Sequence, residues 1–191
     1  MNKIILILIL NLICLNLFSQ DNSNNSINLN TTIPSNVKIS GTSTLHDWES
    51  IVEKTQAKLV INNYEDLEIE TLEVTIDALS IKSGKKLMDK LTYKALRAKD
   101  FPKITFIFKK GSVKSSTPDF INIELNGDLM IAGVTKNVTV LTKINKKGKS
   151  IILTGTYKLK MTTYNIKPPK ALLGTIKTGD EITIDFSLNF N

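Results

Sequence analysis

Ile182-Thr183-Ile184-Asp185-Phe186-Ser187-Leu188-Asn189-Phe190 alternates apolar and polar residues without a break. Successive side chains of a strand point to opposite faces, so the five apolar residues share one face and the four polar ones the other. The stretch reads as a half-buried strand. The same signature recurs upstream. Ile151, Leu153, Gly155, Tyr157, Leu159 and Met161 alternate with Thr154, Thr156, Lys158 and Lys160. Ile121, Ile123, Leu125, Gly127, Leu129 and Ile131 hold odd positions. A tight turn at Ala132-Gly133 leads to Val134, Val138 and Val140, and Asn145-Lys146-Lys147-Gly148 reads as a hairpin turn. Ile104, Phe106 and Phe108 share a face, as do Ala57, Leu59 and Ile61, and Val37–Thr42 reads as a first short strand. Leu67 and Ile69 sit on odd positions, but Leu72, Val74, Ile76 and Ala78 sit on even ones. That phase slip predicts a bulge near Glu70-Thr71.

One segment is helical in pattern. Lys85–Arg97 places Leu87, Met88, Leu91 and Ala95 on one side, with lysines elsewhere. Such a helix is either a plug on one end of a sheet, the reading favoured here, or a membrane-surface element. Roughly eight antiparallel strands with one inserted helix predict an all-β barrel or sandwich. Long strands, and Gly127 and Gly155 on inward faces where strong bending is needed, favour the barrel. An eight-stranded barrel either fills its interior with side chains or holds one small ligand. The inward positions are aliphatic or aromatic, so any ligand there is expected to be apolar. Candidate wall residues are Phe106, Leu125, Val138, Leu153, Tyr157, Phe186 and Leu188; the competing reading is that they fill a dry core.

Composition narrows the function. The 191 residues are 41% apolar but only 6% aromatic, with a formal net charge of +7, or +6 without Lys3. Acidic Glu65, Asp66, Glu68, Glu70 and Glu73 interleave with the lysines, and no aromatic–basic interleaving suggests nucleic acid. One histidine and one cysteine exclude the usual zinc ligand sets, so no metal is expected. Lys3 followed by the apolar run Ile4–Leu10, with polar sequence from Ser19, predicts a signal peptide over 1–19 that also removes Cys14. The segment is too short and impure for a membrane span. The Asn- and Ser-rich stretch over 20–36 is expected to be a flexible lead-in, and 37–191 one barrel domain in the periplasm.

The single histidine and single tryptophan lie in Ser43-Thr44-Leu45-His46-Asp47-Trp48. His46 and Asp47 would supply acid–base chemistry and Ser43 a nucleophile, if tertiary geometry converged them. Against this stands a structural reading, with His46 and Trp48 lining one face. No Gly-x-Ser-x-Gly motif accompanies them, so no catalytic residue is assigned. The loop Thr162–Thr178 and the helix are candidate gates. Tyr164, Pro168, Pro169, Leu172 and Leu173 are expected to form an apolar rim.

Four segments, in order, carry a resemblance: Ser43–Trp48; Ala78-Leu79-Ser80-Ile81-Lys82-Ser83-Gly84 through the helix to Phe101-Pro102-Lys103-Ile104-Thr105-Phe106; Leu125–Val138; and Met161–Pro169 continuing to Gly179-Asp180-Glu181-Ile182. Together they resemble the YceI-like proteins, which are exported, lipocalin-like barrels that bind polyisoprenoid lipids. The resemblance implies a lipocalin-like fold, a non-enzymatic carrier or sequestering role, and a polyisoprenoid-type lipid as the bound partner. It implies no further cofactor. Ligand contact is then expected from His46 and Trp48, from the wall residues above, and from Tyr164 and Leu172. A transient contact with a membrane surface fits the basic helix. One departure stands out: typical members carry an Arg and a His-Leu pair in the helical segment, where this chain has Lys90-Leu91-Thr92-Tyr93. The alternative is a barrel with a filled core whose basic surface docks to an anionic partner.

Overall fold

The computed structural model describes residues 26–31, 35–63, 67–117, 120–148 and 150–191. The expected signal peptide over 1–19 lies outside them. Twelve strands form in these residues, rather than the roughly eight expected. Eight of them are eight residues or longer: β2 (Asn36–Ser43), β4 (Thr55–Asn63), β5 (Glu68–Asp77), β7 (Lys103–Ser116), β8 (Phe120–Ile131), β9 (Val134–Lys147), β10 (Ser150–Lys160) and β12 (Ile176–Phe190). The other four are short: β1 (Ile27–Asn30), β3 (Trp48–Val52), β6 (Ile81–Lys82) and β11 (Lys170–Ala171). Strands of two to five residues give too few alternations to be read from a sequence, and they form because a neighbour offers a free edge.

All pairings are antiparallel, in the order β1-β4-β5-β7-β8-β9-β10-β12-β2-β3-β6, with β11 beside β12. The sheet curls on itself, as its ends show. Asn30 at the end of β1 exchanges two main-chain hydrogen bonds with Asn191. The β3–β4 turn meets the end of β5, where Glu53 N donates to Ser80 O and Asp77 N donates to Lys54 O. Within the stretch expected as a lead-in, Ile27–Asn30 form β1 against β4, with Leu29 buried.

The phase slip has its structural cause. Val60 pairs with Thr71 and Ile61 with Ile69, leaving Glu70 as the extra residue. Ala132 and Gly133 form a two-residue turn between Ile131 and Val134, with φ of 50° and 79°. Both residues left-handed is the geometry that matches strand twist in a hairpin.

Glycines set the close approaches inside. At Gly155 a Cβ would lie 2.6 Å from Phe186 Cζ, its ladder partner's ring. At Gly127 it would lie 2.6 Å from Phe106 Cζ and 2.5 Å from the main-chain oxygen of Ile107. Each bare backbone accepts an aromatic ring on the inner face.

The helix α1 (Lys86–Ala95) is shorter than the expected 85–97 and spans one end of the curled sheet. Its C-terminal side is held where Arg97 Nη2 donates to Ala132 O. Its N-terminal side is held where Ser83 N and Oγ donate to Asp89 Oδ1 at 2.8 and 2.6 Å. The Tyr93 hydroxyl sits 2.9 and 3.0 Å from the main-chain oxygens of Leu79 and Ile81, and accepts from Lys82 Nζ. At the opposite end Ile61, Ile121, Ile144, Ile151 and Phe190 are buried in one cluster, so that end is filled.

Candidate ligand cavity

Behind α1 lies a cavity of about 400 Å³. The strand register explains its wall. Val74, Phe106 and Leu129 are ladder partners across β5, β7 and β8. Ile39, Ile184 and Tyr157 are partners across β2, β12 and β10. Val37, Phe186, Gly155 and Thr142 form a third row. Side chains opposite each other on a ladder share a face, so each row presents its apolar groups to the same interior. Thr142 is the polar member, and its hydroxyl is consumed by Ile123 O at 3.0 Å. Met88, Leu91, Thr92 and Ala95 of α1 close one side, and Leu45, His46, Trp48, Pro169, Ala171 and Ile176 line the mouth.

Eight of the eleven candidate ligand residues line this cavity: His46, Trp48, Phe106, Leu125, Leu153, Tyr157, Phe186 and Leu188. Three do not. Val138 is buried beside Gly127, where the Phe106 ring occupies the space over the glycine backbone. Tyr164 ends the short 3-10 turn Met161–Tyr164 and is buried with Ile131, Leu159, Met161 and Ile166, so it is a core residue and not part of the rim. Leu172 turns outward into solvent. Wall residues that the sequence reading passed over, among them Ile39, Val74, Ile184 and Leu129, carry the same period-2 signal. Only the register tells which inward residues meet empty space.

The mouth motif is a self-contained turn. Ser43 Oγ accepts from the main-chain N–H groups of Leu45 and His46 and donates to His46 O at 2.7 Å. His46 Nδ1 lies 2.6 Å from the main-chain oxygen of Asp47. The Ser43 and His46 side chains thus bond to backbone, not to each other. Trp48 Nε1 donates to Thr42 O at 3.0 Å, and its indole lies on Gly41, its ladder partner, where a Cβ would approach to 2.5 Å.

The YceI-like domain family matches residues 21–190. The chain belongs to that family. Among curated proteins none matches it. Solved structures similar to this YceI-like domain include Burkholderia cenocepacia BcnA, at 22% identity and a TM-score of 0.67, covering 81% of this chain and 95% of that one. A polyisoprenoid binding domain from Saccharophagus degradans aligns at 11% identity and a TM-score of 0.68, over 86% of this chain and 97% of that one. The Campylobacter jejuni YceI protein aligns at 22% identity and a TM-score of 0.59, over 73% and 82%. These likenesses establish the shared fold.

In this YceI-like domain the buried cluster of Ile131, Met161 and Ile166 holds a titratable group. Burial, with a smaller contribution from Tyr157, pushes the Tyr164 phenol up to about 12 from its ordinary 10.0. Its hydroxyl is buried and without a hydrogen-bond partner among the described residues. The folded state keeps this proton while the unfolded chain releases it, so stability is full below pH 10 and falls as pH rises toward about 12. Tyr164→Phe is expected to flatten that alkaline decline. At neutral pH it should leave stability unchanged or raised by about 1 kcal/mol, because an unpartnered buried hydroxyl is lost. Urea midpoints across the alkaline range check both.

Proposed function

We propose that this YceI-like domain binds one long apolar lipid chain, of polyisoprenoid type, inside its barrel. The observation that carries the reading is the cavity of about 400 Å³ walled by rows of aliphatic and aromatic side chains. Its volume falls within the usual range for small-ligand pockets. Water held there would find few polar partners, whereas an apolar chain gains about 25 cal/mol per Å² of surface buried. The Saccharophagus degradans neighbour, described as a polyisoprenoid binding domain, supports the class of cargo. The helix and the loop carrying Pro169 and Ala171 act as the gate through which the chain enters. The bonding of the Ser43 and His46 side chains to backbone supports a binding role over a hydrolytic one. The leader-like sequence from Lys3 to Leu10 supports a periplasmic location.

Native mass spectrometry of the protein purified from its own host, followed by organic extraction, tests the proposal. The expected result is one long isoprenoid per protein, released from a periplasmic fraction. His46→Ala should retain it, because the apolar wall supplies the binding area. A clean apo mass with no uptake of added polyprenol would overturn the reading in favour of a barrel that carries no cargo.

A further inference from the structure

Four large apolar side chains stand out from the open end of the barrel. Leu45 is 65% exposed, Leu87 62%, Leu172 67% and Leu173 110%. They belong to three segments that meet at the mouth. Thr44 N donates to Lys177 O at 3.0 Å, and Lys177 N donates to Thr44 Oγ1 at 3.1 Å. Those bonds join the Leu45 loop to the strand beside the Leu172-Leu173 tip. Leu45, Leu87 and Ala171 all border the same opening.

The tip is held outward by an unusual backbone. Leu172, Leu173 and Gly174 have φ of 47°, 55° and 92°. Left-handed backbone is unfavourable for a leucine, and here two adjacent leucines adopt it. The result is that Leu173 is fully exposed and Leu172 largely so, and the conformation is disfavoured twice in water. Insertion into an apolar medium would offset the exposure.

Charge completes the pattern. The segments over 43–48, 85–95 and 162–178 carry seven exposed lysines: 85, 86, 90, 94, 167, 170 and 177. They carry two acidic residues, Asp47 and Asp89, and Asp89 is already bonded by Ser83. Protruding leucines on lysine-rich segments match the headgroup–acyl boundary of an anionic bilayer, which takes apolar tips a few ångströms below a negative surface.

We propose that the barrel mouth docks on an anionic phospholipid membrane, with Leu172 and Leu173 inserted and the lysines on the headgroups. The opening then faces the bilayer, and a lipid chain can pass between membrane and barrel without crossing water. That last purpose rests on the cargo reading; the docking itself depends on the rim alone.

Flotation with vesicles of phosphatidylcholine, with and without phosphatidylglycerol, tests the docking. The expected result is binding to the anionic vesicles only, weakening as salt is raised. The double variant Leu172→Asn/Leu173→Gly puts residues that tolerate left-handed backbone at the tip. It should raise Tm yet lower the vesicle partition about a hundredfold, since each leucine transferred to an apolar phase is worth tenfold or more. Wild-type protein that floats with neither vesicle would overturn the proposal. So would a double variant with raised Tm and unchanged flotation, the signature of a loop that is merely structural. Native mass spectrometry of the same samples reads cargo separately: flotation without cargo would sink the carrier reading and leave the docking intact.

Discussion

Ile184→Glu is expected to abolish uptake of a long isoprenoid while the protein still folds. Ile184 lies mid-strand in β12, between Ile39 on β2 and Tyr157 on β10, and all three line the cavity. Its side chain is only half-buried, so an empty barrel leaves room for a carboxylate to keep some water. A bound apolar chain would remove that water. Stripping the hydration from an unpaired carboxylate costs several kcal/mol, which at about 1.4 kcal/mol per tenfold is a loss of a thousandfold or more in affinity. Ile184→Ala is the control for mere damage to the wall. It enlarges the void, keeps it apolar and should retain uptake within about tenfold. Titration with polyprenol, read by native mass spectrometry and with circular dichroism confirming the fold, checks both variants. Equal uptake by the glutamate variant would mean that the lipid sits elsewhere.

The largest stability effect is expected at the two inward glycines, and the two should behave differently. A Cβ at Gly127 meets the Ile107 main-chain oxygen at 2.5 Å as well as the Phe106 ring, and a ladder backbone cannot step aside. A Cβ at Gly155 meets chiefly the tip of the Phe186 ring at 2.6 Å, with the nearest backbone atom, Leu141 O, at 3.2 Å. Overpacking of this kind costs about 1–3 kcal/mol. Gly127→Ala should fall at the upper end, lowering Tm by roughly 5–10 °C for a domain of this size. Gly155→Ala should be milder and should be rescued in part by Phe186→Leu, with a coupling of about 1 kcal/mol in a double-mutant cycle. Phe106→Leu should do less for Gly127→Ala, because the carbonyl clash persists. Thermal melts of the four single and two double variants settle the comparison. Equal rescue at both sites would mean that the Ile107 carbonyl moves freely.

Much of this architecture was legible in the chain. The alternation in Ile182–Phe190 and Ile151–Leu159 placed both strands and their inner faces correctly. The slip at Glu70 announced a bulge, and Ala132-Gly133 a two-residue turn. These features are local: a pleat, a bulge or a left-handed turn is written in a few adjacent residues. Other features were not legible. The short strands β1, β3, β6 and β11 exist because a neighbouring edge pairs with them. β7 runs on to Ser116 although its last residues are exposed and lack alternation, because β8 supplies a full ladder.

The candidate site divides in the same way. The sequence by itself determined that the inner face is apolar and that His46 and Trp48 accompany a barrel's opening strands. Tertiary structure alone decided that Val138 lies outside the cavity lining, that Tyr164 is core and not rim, and that Leu172 and Leu173 face outward. It alone decided that a void remains between the rows. The reason is that period-2 patterning fixes which face a residue lies on, whereas the volume left over depends on register and ring placement between strands far apart in the chain.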